Sequence, residues 1–261
     1  MLTVVSPSKN LDFKSKTKTA KRTDPVFLDE AEVLINDLRH LGPDDIQELM
    51  GINDELSELN AGRFQSWQKN RRNTRQSIYA FRGSVYLGLE AETFSTADMT
   101  SAHRRLRILS GLYGLLRPSD LIHPYRLEMG LPFANSRGSD LYEFWGPSIT
   151  EQLNAELSKH SKPVLINLAS SEYFKAVDQS KLNYPVLNCS FLDNFNGNFR
   201  FMSFYGKRAR GLLARYIVQN RVETFKGLKS FNLEGYEYSA ERSNRDNLVF
   251  VRATVPPRDA K

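Results

Sequence analysis

The stretch Val164-Leu-Ile-Asn-Leu168 constrains this chain most: a short apolar run closed by Pro163 on one side and Ala169-Ser170 on the other. A strand without apolar/polar alternation has to be covered on both faces. The chain must therefore supply layers on either side of a sheet, and 261 residues are enough to do so. Thr3-Val-Val-Ser6 reads as a second short buried strand, followed by a Lys-rich loop to about Pro25. From Phe27 to Leu41, the residues Leu28, Ala31, Leu34, Ile35 and Leu38 recur at helical spacing until Gly42-Pro43 breaks it. Asp44–Met50, Asp54–Trp67, Met99–Leu109, Leu141–Leu157 and Lys207–Gln219 read as further helices. Gln76–Leu89 suggests a strand pair around Gly83. Val186–Leu192 and Asn198–Tyr205 flank Asn196-Gly197, a hairpin signal, and Tyr236–Ser239 and Leu248–Arg252 read as two late strands. The order is mixed, with no regular βαβ repeat, linker or internal repeat. The expected fold class is α+β, a single compact mixed α/β domain over 1–261.

Several classes are excluded early. No window approaches ~18 consecutive apolar residues, so no membrane partner is expected. The start, Met1-Leu-Thr-Val-Val-Ser6, is too short and uncharged for a secretory signal. One cysteine, Cys189, excludes an internal disulfide framework. It alternates with Leu187 and Phe191, which predicts a buried, inert thiol. A reducing cytoplasm is the expected compartment.

Charge is distributed unevenly. The net charge is +6, which attracts polyanions in general. Residues 29–58 carry ten acids (Asp29, Glu30, Glu32, Asp37, Asp44, Asp45, Glu48, Asp54, Glu55, Glu58) against Arg39 alone. Residues 59–82 and 199–221 each carry six bases and no acid, and residues 9–22 carry six bases against Asp12. Such segregation favours one basic and one acidic face, the alternative being separate solvated patches.

Four constellations carry candidate chemistry. The first is His103-Arg-Arg-Leu-Arg-Ile-Leu-Ser-Gly-Leu-Tyr-Gly114, continuing to Ile122. Two glycines three apart between apolar segments read as a helix-hairpin-helix over about 100–122. There the absence of Cβ would let backbone amides approach a DNA phosphate. Arg104, Arg105, Arg107 and Arg117 would add charge around Ser110, Gly111, Tyr113 and Gly114. A tight turn between two ordinary helices is the competing reading. The second is Ser203–Tyr216, where Lys207, Arg208 and Arg210 crowd the start of a helix against its macrodipole, a cost that an anion would offset. The third is Asn167-Leu-Ala-Ser-Ser-Glu-Tyr-Phe-Lys175, a strand end entering a helix, where ligand crevices commonly lie. Glu172 and Lys175 share a helix face there, as an acid–base pair or an i,i+3 ion pair. The fourth is Ser6-Pro-Ser-Lys9, whose Lys9 is expected to face the same crevice. Arg126 and Glu128 are a polar pair of either structural or site-bordering role.

Phosphate-loop, dinucleotide, nucleophile-elbow and zinc-protease motifs are absent. His40, His103, His123 and His160 show no metal-ligand spacing. No metal and no cofactor is therefore expected.

Together the segments Ser6–Asp12, Ala91–Phe94, Leu109–Pro118, Pro124–Gly130, Ile166–Ser170 with Glu172–Lys175, and Ser203–Gly211 resemble the YaaA family of bacterial peroxide-stress proteins. They run in order along nearly the whole chain. One departure is Ser8, where the family usually has alanine. The resemblance implies a cytoplasmic protein that limits oxidative DNA damage and free iron during peroxide stress. It also implies one compact fold of unusual topology with a helix-hairpin-helix, which in this sequence falls on Ser110–Gly114, and a basic cleft that binds double-stranded or structured DNA. The alternative from the residues is an enzyme acting on a nucleotide, nucleobase or damaged DNA, with Lys9, Glu172, Lys175 and Arg210 lining its pocket.

Overall fold

Leu2–Val5 (β1) has no solvated face, and the fold places it in the middle of a sheet. The structure, a computed structural model, describes residues 1–15, 17 and 21–255. Lys16 and Lys18 of the basic N-terminal stretch lie outside them. β1 is flanked in parallel by Leu106–Ser110 (β2), with Thr3 opposite Leu106. On its other side lies Leu165–Leu168 (β4), with Leu2 opposite Leu165. Gly114–Leu116 (β3) turns back on β2 at that edge. Beyond β4 come Val186–Phe195 (β5) and Asn247–Arg252 (β8), both parallel, and then Tyr236–Tyr238 (β7), antiparallel. Asn198–Arg200 (β6) pairs with β5 off the main path. The sheet order is β7-β8-β5-β4-β1-β2-β3. The five central strands are thus parallel, in keeping with the apolar run of β4, which Asn167 alone interrupts.

Helices cover the sheet. Leu28–Leu38 (α1) buries Ala31, Leu34, Ile35 and Leu38 on one stripe. Pro43–Met50 (α2) and Asp54–Ser66 (α3) follow, joined by a turn in which Gly51 is left-handed at φ 59°. Ser84–Leu89 (α4) packs on Ser203–Gln219 (α8), which also lies against β1, β4 and β5. Thr96–Arg105 (α5) runs into β2, and Ser148–Leu157 (α6) and Ser171–Phe174 (α7) flank β4. Asn196 and Gly197 both have positive φ and turn the β5–β6 hairpin as expected.

Three expectations take another form. Gln76–Leu89 is not a strand pair: after strand residues Phe81–Arg82, the left-handed Gly83 (φ 138°) starts α4. The helix expected over Leu141–Leu157 is broken by Gly146-Pro147 into Leu141–Trp145 and α6. Within 100–122, α5 is followed by a β-hairpin, with Ile108 opposite Leu116 and Ser110 opposite Gly114. Leu106, Ile108 and Leu109 are fully buried beside β1, and that burial decides for strand over helix. The helical hairpin with a glycine turn lies instead at α2–α3. There Asp44, Asp45, Asp54 and Glu55 occupy the first turns and would repel a phosphate.

The charge segregation along the chain is partly cancelled in space. Lys69 reaches Asp29 and Glu32, Arg71 reaches Asp24, and Arg82 reaches Asp12 and Glu92. Arg105 pairs with Glu223, Arg215 with Glu90, and Arg221 with Asp98. The expected basic face is accordingly narrower than the sequence suggests.

Candidate ligand crevice

The strand order reverses at β1: β2 lies on one side, and β4, β5 and β8 lie on the other. In an open parallel sheet this switch point leaves a gap beyond the carboxyl ends of the two divergent strands. A crevice of about 350 Å³ occupies that gap, lined by Ser6, Lys9, Tyr86, Ser170, Lys207 and Arg210 among others. Its size falls in the ~300–1,000 Å³ range of small-molecule sites.

The floor is a pair of serines. Ser6 leaves β1 and Ser170 leaves β4; the Ser170 amide donates to Ser6 Oγ at 2.9 Å, and Ser6 Oγ donates to Ser170 Oγ at 3.2 Å. Tyr86 Oη donates to the Ser6 carbonyl at 3.1 Å, fixing α4 to the end of β1. The loop after Ser6 is anchored by Asp12, whose Oδ1 accepts from the amides of Lys14 and Ser15. Hydrogen bonds from Ser15, then Lys14 and Arg82, hold the Asp12 carboxyl well below the usual range. Opposite this loop Gly83 holds a φ of 138°, which side-chain-bearing residues rarely adopt, and a Cβ there would also push Ser8 Oγ, 2.7 Å away, aside.

One wall carries acids. Lys9 Nζ lies 2.7 Å from Glu128 Oε1, and Arg126 lies 3.1 Å from the same oxygen. Burial pushes the Glu128 carboxyl up, but the hydrogen bonds from Lys9 and Arg126 outweigh it and hold it below its ordinary value. Arg126 and Glu128 thus border the site. Glu172 is exposed at the rim and accepts from the Gly130 amide at 3.2 Å. Lys175 is turned away, 4.2 Å from the Tyr142 ring centre, and forms no ion pair with Glu172 among the described residues. The expected Glu172–Lys175 couple is therefore not assembled.

The facing wall is the first part of α8. Lys207 and Arg210 line the crevice, whereas Arg208 turns out to Glu234 at 2.6 Å. Arg210 is partly buried and has no carboxylate partner among the described residues. Burial lowers the pKa of its guanidinium, with only the Cys189 thiol pulling the other way. Cys189 itself is buried, and burial pushes its pKa up to about 12.

The residues expected to hold DNA around the glycine turn lie elsewhere. Ser110, Gly111, Tyr113 and Gly114 are buried. Ser110 Oγ is 2.6 Å from Tyr125 Oη and accepts from the Tyr113 amide at 2.9 Å. Tyr113 Oη accepts from Trp67 Nε1 at 3.0 Å. A Cβ on Gly114 would come within 2.7 Å of the Trp145 ring, so this glycine makes room for an indole. Arg107 is buried against Glu156, Arg105 against Glu223, and Arg117 bonds Asp120. Arg104 alone of this set is exposed.

Sequence reasoning missed Ser84, Tyr86 and Tyr173 of the lining. The Gly83-Ser84 step, a helix-start signal, was the clue to the first two. Among the described residues no three His, Cys, Asp or Glu side chains are placed to hold a metal ion, and no helix is long and apolar enough to cross a membrane. Residues 1–242 match the family described as peroxide stress protein YaaA.

Proposed function

Starting from a chain that belongs to the peroxide stress protein YaaA family, we propose that the crevice binds the phosphate of a nucleotide unit, free or carried in DNA. The observation that carries this reading is Arg210: a guanidinium drawn into a crevice beside Lys207, with no carboxylate partner among the described residues. A partly desolvated cation without a counterion is costly unless an anion completes the site. The Ser170 hydroxyl, whose proton the serine pair does not use, supplies a further donor to a phosphate oxygen, and the mostly buried Tyr86 and Tyr173 line the crevice beside it. Glu172, at the rim and outside any ion pair among the described residues, is the carboxylate placed to take or return a proton if the ligand is also transformed.

Titration calorimetry with nucleoside monophosphates, inorganic phosphate and free nucleobases tests this. A charged hydrogen bond contributes ~1.5–3 kcal/mol, so Arg210→Ala should weaken monophosphate binding by about 10- to 150-fold. Nucleobases alone should bind more weakly than their monophosphates. If no phosphate compound binds, the reading is wrong.

Binding of intact DNA is the second reading, and one observation favours it. Lys207 lines both the crevice and an open groove bordered by Arg200, so cationic surface continues out of the site. Such contacts release counterions, and affinity should fall by roughly one decade per decade of salt for each phosphate neutralised. A flat salt dependence would remove this second reading.

A further inference from the structure

The groove beside the crevice is built from Arg200–Tyr205 and Lys207, with Ser84 on the facing helix, and encloses about 840 Å³. It shares Ser84 and Lys207 with the crevice, so the two are continuous. Its apolar content is unusual for a surface. Phe201 is 54% exposed and Phe204 is 49% exposed, and Phe195 stands 43% exposed on the neighbouring hairpin. Burying a phenylalanine is worth ~1.5–3 kcal/mol, so several left in water beside a concave surface mark a binding region.

The rings are held in place. A Cβ on Gly206 would come within 2.5 Å of Phe201 Cε2, so this glycine lets the Phe201 ring lie close against the backbone of α8. Phe204 meets Tyr205 edge to face, with ring centres 5.3 Å apart. The Arg200 guanidinium sits 3.8 Å from the centre of the Phe195 ring. Arg200 and Lys207 have no carboxylate partner among the described residues, and no acid lines the groove. The groove therefore sets exposed aromatic rings between two cations that lack a carboxylate partner among the described residues, which matches a partner that carries both flat bases and phosphates.

We infer that Phe201 and Phe204, with Arg200 and Lys207, form a stacking platform for an unpaired DNA strand that runs on toward the crevice. The inference rests on the nucleotide reading of that crevice and names the form of DNA that reaches it. Duplex DNA hides its base faces, so this surface prefers unpaired nucleotides over a paired helix. Stacking of this kind tolerates any base and needs no sequence readout.

Fluorescence anisotropy on wild type, with a labelled twelve-residue oligothymidylate and a blunt duplex of equal length, is the first measurement. The single strand should bind more tightly than the duplex. Phe201→Ala and Phe204→Ala should each weaken single-strand binding by roughly 5- to 100-fold, the equivalent of one stacked base, while duplex binding changes little. Phe204→Trp should retain binding, and its emission should be quenched when the oligomer is added. That readout holds even if an alanine variant fails to fold. Equal affinity for duplex and single strand, or alanine variants with unchanged melting and unchanged affinity, overturns the platform. So does tighter binding of oligouridylate than of oligothymidylate, or phenylalanine-dependent binding to anionic lipid vesicles with none to the oligomer. Wild type separates the two proposals: monophosphates failing to bind it while phenylalanine-dependent strand binding persists refutes the crevice reading alone, whereas monophosphate binding that Arg210→Ala weakens, with no phenylalanine-dependent strand binding, refutes the platform alone.

Discussion

Gly211→Ala asks how closely α4 and α8 must approach for the crevice to exist. An alanine in an open helix interior is favoured over glycine by about 1 kcal/mol. Here the added Cβ would fall inside the contact radius of the Val85 carbonyl oxygen, with Val85 C at 2.8 Å and Leu89 N at 2.9 Å. Gly88 makes the reciprocal approach from α4, facing the Arg208 carbonyl and, at 2.9 Å, Leu212 N. All of these are backbone atoms, so no side chain can swing aside. Carbon contacts settle at ~3.5–4.0 Å, which requires the helices to part by about 1 Å. A gap of that size forfeits a quarter to a half of each contact along the crossing, and overpacking costs typically ~1–3 kcal/mol, occasionally more. A net destabilisation of about 2–4 kcal/mol follows, or roughly 4–15 °C in Tm for a chain of this size. Ser84 and Tyr86 stand on one helix and Lys207 and Arg210 on the other. The same shift should therefore widen the crevice and weaken any phosphate ligand. Circular-dichroism melting is the assay, with Gly62→Ala as control. Gly62 lies inside α3, and a Cβ there meets nothing within 4 Å. The control should be neutral or stabilising by up to ~1 kcal/mol. Gly211→Ala melting at or above wild type would refute the close-approach argument.

Two further predictions concern buried ionisable groups. Burial, assisted by Lys21, Arg107 and Arg117, lowers His103 to about 4, and burial with the N-terminal amine does the same for His160. Both are neutral in the fold but take up a proton near pH 6.5 when unfolded, so stability should fall as pH drops from about 6.5 toward 4. Proton NMR of the C2–H resonances checks this, and titration of either ring near 6.5 contradicts it. Asp193 and Arg252 are almost wholly buried as a pair at 2.6 Å, with Tyr236 Oη 3.0 Å from the carboxylate. Asp193→Ala leaves that guanidinium only the more distant Glu234, at 3.8 Å, as carboxylate partner and should cost ~3–5 kcal/mol in urea unfolding. A loss below ~1 kcal/mol would mean that the pair is relaxed by water.

How much of this was legible depends on the range of the deciding interaction. The β4 run and the Asn196-Gly197 turn are local signals that placed their elements, and Ser6 and Ser170 follow β1 and β4 closely in the sequence. The hairpin at 106–116 was ambiguous because five residues are too few to separate a period of 2 from 3.6, and Gly111 and Gly114 suit either turn. What selects the strand is burial beside Leu2–Val5, which is a long-range fact. Arg107 looked like a surface cation because Glu156 lies far along the chain. The same blindness applied to Tyr86 and Tyr173, whose distance from Ser6 only the folded sheet sets. Arg210 was singled out because Lys207, Arg208 and Arg210 crowd one helix start, but that local signal could not separate it from Arg208, which finds Glu234 in the fold.

The serine pair on the crevice floor joins residues 164 positions apart. A ribosome adding ~5–20 residues per second exposes Ser6 roughly 8–32 s before its partner exists. Until then β1 has an open edge of unpaired amides and carbonyls, and the polar gap has no second bank. The cationic wall, on α8, emerges later still. Vectorial folding therefore completes the site only in its last stage: a chain interrupted before α8 carries the sticky central strand and the serine floor but lacks Lys207 and Arg210, the cations that would draw in an anion.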